Sequence, residues 1–271
     1  MNTTLLIDGD VLAFDGSFAG QEIIQWDKEL WTTHGDSAKG KTHISNRISK
    51  IQEVIKPDET IIAFTHTTNF RKVINPDYKA NRKGQFRPLL LNPLKDWMKE
   101  TWKSECWELL EADDVLSILA TEIQDKDNRT VIASIDKDFH GVPSDWYNYR
   151  KDELYNHKEL DSERFHLIQT IAGDAVDGYS GIPKFGPKTA EKHLDRFGYN
   201  WDTVVRLYES KGLTEADALM NAWMARLLRK DEYNTKEKRI ETLWFPDTFS
   251  EDDKQKYLPV VHSLTKTNDA F

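Results

Sequence analysis

Thr3-Thr4-Leu5-Leu6-Ile7-Asp8-Gly9-Asp10 is a short, β-rich apolar run that stops on two carboxylates. Its length and composition fit a buried first strand that delivers acids at its C-terminal end. Downstream, Ile44, Ile48, Ile51 and Ile55 recur at spacings of four, three and four before Pro57, which marks one face of an amphipathic helix. A second short strand follows at residues 60–64 (TIIAF), and a third at 130–135 (TVIASI), again ending in acids, Asp136 and Asp138. Strand, helix and strand at these lengths predict βαβ units, hence an α/β fold with a mainly parallel central sheet flanked by helices. A weaker aromatic strand is expected at 145–150, and helices at 94–102, 112–123 and 162–172.

Composition shifts after this point. Residues 177–198 are rich in Gly, Pro and Lys, and two helices are expected at 201–211 and 215–230. The tail after Asn234 is polar and unpatterned, with Trp244 and Phe245 as its anchors. The chain has 271 residues, 38% of them hydrophobic, with 9 Trp, which is enough apolar mass for a real core. No apolar run reaches the roughly 20 residues of a membrane span, and residues 1–10 carry no basic region of a signal peptide. The expectation is a soluble, cytoplasmic protein with no membrane partner. The single cysteine, Cys106, excludes an intramolecular disulfide and a Cys-rich zinc site, and reads as buried structure.

With 37 basic and 46 acidic residues the formal net charge is −9, which argues against a generic DNA-coating protein. The acids are not spread evenly. Four clusters sit where elements end or begin: Asp8 with Asp10, Glu111 with Asp113 and Asp114, Asp136 with Asp138, and Asp174 with Asp177. On strands, residues i and i+2 share a face, so Asp8/Asp10 and Asp136/Asp138 can each converge. On a helix i and i+3 do, which serves Asp174/Asp177. These nine acids equal the whole excess of negative charge. Ligands of open parallel sheets bind beyond the carboxyl ends of the strands, and oxygen-only donors without His or Cys suit Mg²⁺ or Mn²⁺. Any one pair alone is as readily a turn former or helix cap.

Two stretches are suited to phosphate. Residues 70–87 hold Arg71, Lys72, Lys79, Arg82, Lys83 and Arg87 against one acid, Asp77, and add Tyr78 and Phe86 as stacking surfaces. A solvated charged loop has the same composition. Residues 178–190 place Gly181 and Gly186 around a tight turn that carries Lys184, with Lys188 and Thr189 opening a helix. That pattern reads as a helix–hairpin–helix, which presents backbone N–H groups to a phosphodiester without reading sequence.

In this order, Asp8-Gly9-Asp10, Tyr78-Lys79-x-Asn81-Arg82, Glu111-x-Asp113-Asp114, Asp136-Lys137-Asp138-Phe139 and Gly173-Asp174-x-x-Asp177-Gly178-Tyr179-x-Gly181-Ile182 resemble the 5′-nuclease superfamily. This is the family of flap endonucleases and 5′→3′ exonucleases, and the likeness is nearest to short bacteriophage exonucleases of the podovirus gene-six type. The resemblance implies a PIN-like core with a short arch (about 70–103) within residues 1–172. It further implies a helix–hairpin–helix subdomain over 173–234, with a tail, 235–271, packing on the core. It implies metal-dependent hydrolysis of duplex DNA from 5′ ends, with action on flaps and on RNA in hybrids, by a monomer that works beside replication proteins in the host cytoplasm.

By position, Asp8, Glu111, Asp113 and Asp114 match the first metal's set, and Asp136, Asp138, Asp174 and Asp177 the second's. Lys79 and Arg82 match the cations on the scissile phosphate, and K⁺ is implied near Gly181 to Gly186. The other DNA contacts expected are Arg71, Lys72, Tyr78, Lys83, Lys184, Lys188 and Thr189. One departure stands out. The family's carboxylate after the second strand is replaced by Thr65-His66-Thr67, with His66 the best match and Asp10 available to compensate. A catalytically weak, structure-specific DNA-binding protein of the same fold and a PIN-type ribonuclease are the alternative readings.

Overall fold

The computed structural model describes residues 2–257 and residue 260. The chain runs β1 (Asn2–Asp8), α1 (Gly9–Gly20), a hairpin of β2 (Gln21–Gln25) and β3 (Trp31–Gly35), and α2 (Ser37–Ile55). Then come β4 (Glu59–Ala63), α3 (Phe70–Ile74), α4 (Leu91–Thr101), β5 (Ser104–Glu105), α5 (Ala112–Ile123), β6 (Asn128–Ala133), β7 (Asp145–Asn148) and β8 (Glu153–Asn156). The last part holds α6 (Glu159–Ala172), the short pair β9 (Gly173–Asp174) and β10 (Tyr179–Ser180), α7 (Pro187–Phe197), α8 (Trp201–Glu209) and α9 (Glu215–Ala225).

Two compact units divide these elements. The sheet unit comprises residues 1–66, 84–139 and 144–156; the helical unit comprises 67–83, 140–143 and 157–271. The units cut the chain differently from a linear boundary after residue 172. The stretch expected as one arch is shared, its first part belonging to the helical unit and α4 to the sheet unit.

In the sheet unit six strands lie in the order β5-β4-β1-β6-β7-β8. All neighbours are parallel except β7 and β8, which form an antiparallel edge. Leu6 of β1 faces Ile61 of β4 on one side and Ile132 of β6 on the other. The last five residues of β1, Thr4 to Asp8, are all buried, as a central parallel strand requires. Ile44, Ile48, Ile51 and Ile55 of α2 pack with Leu5, Ile7 and Ile62 and with Leu94 and Met98 of α4 in one core. Burying each such side chain contributes about 1.5–3 kcal/mol relative to exposure. Helix α1 reaches α2 closely because Gly16 faces Ile44; a Cβ there would stand 2.6 Å from the Ile44 side chain.

The helical unit is centred on α6, whose buried His166 bonds the Ala222 carbonyl of α9 at 2.9 Å. Helix α9 stops at Ala225, short of the expected 230. Arg226 turns extended and spends its guanidinium on Glu232 at 3.0 Å and Glu163 at 3.3 Å, while Arg229 pairs with Glu159 and Glu163. Two buried cations need these partners, and a continued helix would not bring them together. The described part of the tail packs in this unit: Trp223 donates to the Trp244 carbonyl at 2.7 Å, and the Trp244 ring meets His166 and Trp201 edge-on. The rest of the tail, residues 258, 259 and 261–271, lies outside the described residues. Cys106, expected buried, is exposed. Among the described residues no helix is long and apolar enough to cross a membrane.

Candidate active site

The carboxylates of the sheet unit gather at the carboxyl edge of β1, β4 and β6, but not through strand geometry. Asp8 ends β1 and caps α1, its Oδ1 accepting from the amides of Asp10 and Val11 at 3.1 Å each. Asp10 therefore stands in the first turn of a helix, not two residues further along a strand. Strand β6 ends at Ala133, and Asp136 and Asp138 sit in the turn that follows, Asp138 within a 3₁₀ turn over Lys137–Gly141. What joins the two strand ends is Ser134. Its hydroxyl donates to Asp8 Oδ2 at 3.1 Å and accepts from the Asp136 amide at 3.2 Å. The Asp138 amide in turn donates to Asp136 Oδ1 at 2.9 Å.

The end of β4 supplies a second junction. The Thr65 amide donates to Asp10 Oδ2 at 3.3 Å, and the Thr65 hydroxyl accepts from the Ala112 amide at 3.0 Å. The His66 amide donates to the Leu110 carbonyl at 3.0 Å. These contacts set the N-terminus of α5 beside β4. There Glu111 is the N-cap residue, Asp114 is wholly buried with Oδ2 accepting from the Glu111 amide at 3.3 Å, and Asp113 is half-buried. Acids in this first turn also complement the helix dipole.

The electrostatics are uneven. Asp8 is 3% exposed, and burial, then Asp10 and Asp136, push its carboxyl up to about 7 against the amide and Ser134 bonds. Asp10 holds one cation, Lys95 of α4, at 2.8 Å from Oδ1. The donor set is all oxygen, crowded and negative, which fits a hard dication. Among the described residues no three His, Cys, Asp or Glu side chains close on one point. The oxygens of Asp8 and Asp10 instead meet amides, a hydroxyl and an ammonium.

In the helical unit, Asp174 ends β9 and Asp177 lies in the β9–β10 turn, neither of them on a helix. The amides of Val176 and Asp177 donate to Asp174 Oδ1 at 2.8 and 3.3 Å. Asp177 receives Arg82 at 2.7 Å, the Tyr78 hydroxyl at 3.3 Å and Lys79 at 3.6 Å. The Lys79 amide donates to the Asp177 carbonyl at 2.8 Å, and Asn81 donates to the Val176 carbonyl at 3.1 Å. Two motifs almost a hundred residues apart are thus one clamp. Gly173 and Gly181 pass backbone to backbone, where a Cβ on Gly181 would stand 2.2 Å from the Ile171 carbonyl oxygen. Beyond them Lys184, Lys188 and Thr189 are exposed at the start of α7, whose N-cap is Gly186.

Two expected DNA contacts are corrected. Arg71 is 1% exposed, and its guanidinium donates to the carbonyls of Arg226 at 2.6 Å and Met224 at 3.2 Å, the backbone left bare where α9 ends. Tyr78 is 3% exposed and packs with Tyr179, Met224 and Ala225, so its ring has no face for a base. Lys72 and Lys83 are exposed as expected. Sequence reasoning missed Ser134, Thr65 and Lys95. Ser134 and Thr65 look like ordinary strand-end residues, and Lys95 like one more surface lysine.

Residues 3–166 match the family described as 5′-3′ exonuclease, N-terminal resolvase-like domain. The exonuclease of Escherichia phage T7 is 31% identical over 89% of this chain and 93% of its own length. The exodeoxyribonuclease of Enterobacteria phage T3 is likewise 31% identical, over 89% of this chain and 92% of its own. The chain belongs to the 5′-3′ exonuclease family. As a member it is a nuclease, and its fold agrees. The bacteriophage T5 D15 flap endonuclease, solved as a pseudo-enzyme-product complex with DNA and metal ions, superposes with a TM-score of 0.64. That superposition is at 16% identity and covers 83% of this chain and 89% of the other. The shared architecture is the PIN-like one, a mostly parallel sheet flanked by helices.

Proposed function

We propose that this 5′-3′ exonuclease hydrolyses duplex DNA from 5′ ends, with flaps and RNA/DNA hybrids as further substrates, using divalent cations held by the acids of the sheet unit. The observation that carries the reading is the junction at Ser134, whose hydroxyl ties the Asp8 carboxylate to the Asp136 backbone amide where two parallel strands end, with the charges of Asp10 and Asp136 close enough to act on Asp8. That is where open α/β sheets bind ligands. Asp8, Glu111, Asp113, Asp114, Asp136 and Asp138 are the residues that would hold the cations, Mg²⁺ with Mn²⁺ as a substitute. Bound there, the cations would supply an activated water and offset charge on the attacking and leaving oxygens.

The chain's own groups do the rest. The Asp8 carboxylate is fixed by Ser134 and by its own cap amides, that of Asp136 by the Asp138 amide, and Glu111 and Asp114 by the α5 capping box, so these donors are ordered before anything binds. In the helical unit, Lys79 and Arg82 are oriented by Asp177 as phosphate contacts, with Asp174 and Asp177 as further candidate ligands. Lys184, Lys188 and Thr189, with the α7 N-terminus, would grip backbone phosphates without regard to sequence. A K⁺ ion held by carbonyls of residues 181–186, a monomeric state, replication partners and a cytoplasmic site of action complete the proposal. The family match over residues 3–166 supports the 5′-3′ direction, and the names of the T7 and T3 relatives support exonuclease action on DNA.

A digest of 5′-labelled duplex DNA in Mg²⁺, with EDTA as control, tests it. Release of labelled short products from the 5′ end that EDTA stops is expected. Binding of the duplex with no cleavage in Mg²⁺ or Mn²⁺ would leave only a DNA-binding protein of this fold.

A further inference from the structure

Two lysines of the sheet unit pair with carboxylates of the β1–β4–β6 edge: Lys137 with its chain neighbour Asp138 at 3.4 Å, and Lys95, from α4, with Asp10. The Lys95 Nζ stands 2.8 Å from Asp10 Oδ1, with the two side chains 22% and 25% exposed. The other oxygen of Asp10 accepts from the Thr65 amide. Asp10 is near enough to Asp8 to disfavour its charge, so the ammonium lies in the same neighbourhood as the buried acids. One turn along α4, Lys99 lies over the Phe64 ring at 5.2 Å.

As a staple this pair has little to do. A part-exposed ion pair contributes little to stability, and holding a lysine in one geometry costs rotamer entropy. Helix α4 is already seated by Leu94 and Met98, both wholly buried. As a ligand Asp10 differs from Asp8: the Asp8 oxygens accept from neutral amides and a hydroxyl, whereas Asp10 Oδ1 already meets an ammonium that a dication would have to displace. A phosphodiester approaching this edge meets several carboxylates and gains from a fixed cation.

We propose that Lys95 is a catalytic residue that contacts the non-bridging oxygens of the scissile phosphate, and that Asp10 is the anchor holding it there and not a metal ligand. The inference rests on the reading of the sheet unit as a phosphodiesterase centre. In the step concerned, a water oxygen bonds to phosphorus and the P–O bond to the leaving group breaks. The water loses a proton and the leaving oxygen ends with one. Lys95 neither gives nor takes a proton; it offsets the negative charge that grows on the phosphoryl oxygens.

The two halves of this assignment have opposite signatures. Lys95 repels cations from the neighbouring acids yet stabilises the phosphate. Lys95→Met should therefore bind Mn²⁺ at least as tightly as the unaltered protein in an EPR titration without DNA. Its single-turnover cleavage at saturating enzyme and metal should fall by about tenfold or more. Lys95→Arg, which keeps a cation, should retain more of that rate. Asp10→Asn should weaken Mn²⁺ binding by unmasking the ammonium. The double variant Lys95→Met/Asp10→Asn, neutral again, should recover Mn²⁺ affinity to within about threefold and cleave no more slowly than Lys95→Met alone. Wild-type cleavage by Lys95→Met would overturn the catalytic assignment, and a double variant that binds Mn²⁺ poorly would show Asp10 to be a ligand. Both outcomes differ from failure of the underlying reading, which would appear as normal cleavage by Asp136→Asn whatever Lys95 does.

Discussion

The two units handle buried carboxylates in opposite ways. In the helical unit Asp177 is answered within the unit: Arg82, Lys79 and Tyr78 all converge on it. In the sheet unit Asp8 faces amides and a serine hydroxyl while two further acids crowd it. Hydrogen bonds orient a carboxylate but do not cancel its charge, and burial raises the cost of leaving it uncancelled. A self-neutralised acid positions cations for something else, whereas an uncancelled cluster waits for a cation of its own. Under the proposed function the difference puts the cation-holding acids in the sheet unit and the phosphate contacts in the helical unit, and it can be broken at either end.

The largest effect is expected where the cluster is uncancelled. Asp136→Asn keeps the side-chain volume and the acceptor for the Asp138 amide, but removes charge. Cleavage of 5′-labelled duplex should fall below detection, by far more than the roughly tenfold expected at Lys95, while DNA affinity in a filter or anisotropy assay stays equal or improves. Loss of binding with cleavage intact would reverse the division of labour between the units.

On the other side of the comparison the expected losses are smaller. Lys79→Ala should lower the single-turnover rate by more than about tenfold, over roughly 1.4 kcal/mol in the barrier. Lys72→Ala, on an exposed side chain with no place in the Asp177 clamp, should mainly raise the apparent dissociation constant. Equal rates for Lys79→Ala and the unaltered protein at saturating enzyme would reduce the clamp to a folding device. Smaller again is Lys188→Ala at the start of α7. It should weaken all duplexes alike and flatten the log–log salt dependence by about one unit. A loss confined to one DNA sequence would contradict a backbone grip.

How much of this was legible follows from what each signal measures. Periodicity reports burial, so β1, α2 and α5 stand where the apolar pattern puts them; α5 spans Ala112–Ile123 as expected. Helix α1 and the β2–β3 hairpin went unread. The glycines of α1, which look like turn formers, serve close packing on α2, and packing between helices leaves no local mark. The acid clusters were visible as clusters, but the rule that was to converge them failed. Asp10 belongs to a helix, and Asp136 and Asp138 to a turn, so it is Ser134 and Thr65 that gather the site. Composition counts cations without saying which are buried. Arg71 and Tyr78 sit in the basic stretch yet fill the helical unit's interior, where the end of α9 leaves carbonyls needing a donor.

The least drastic test uses pH, because each unit buries one group whose titration pulls its stability in its own direction. Burial, Asp10 and Asp136 hold the Asp8 proton in the folded state up to about 7, against 3.8 ordinarily. Stability from this group is full below about 4 and is lost as pH rises through about 7. In the helical unit burial, then Arg226 and Arg229, drive His166 down to about 3 from 6.5, with its Nε2–H given to Ala222 and Nδ1 without a partner among the described residues. Stability from His166 is present above 6.5 and is lost as pH falls toward 3. Each proton so linked changes stability by at most roughly 1.4 kcal/mol per pH unit. Between about 4 and 6.5 the two slopes oppose and nearly cancel, so thermal melts of the metal-free protein should be flat there and fall off only outside that window. Asp8→Asn, which keeps the cap on α1, should melt higher than the unaltered protein at pH 8 and gain nothing near pH 4. His166→Gln should unmask the Asp8 slope, so that stability falls steadily as pH rises from about 4 to about 7. Saturating Mg²⁺ should erase the advantage of Asp8→Asn at pH 8, because the cation then cancels the charge that the substitution removes. An Asp8→Asn protein that melts lower at pH 8 without metal would mean that the cluster is already neutralised from within, as Asp177 is, and the contrast between the two units would be lost.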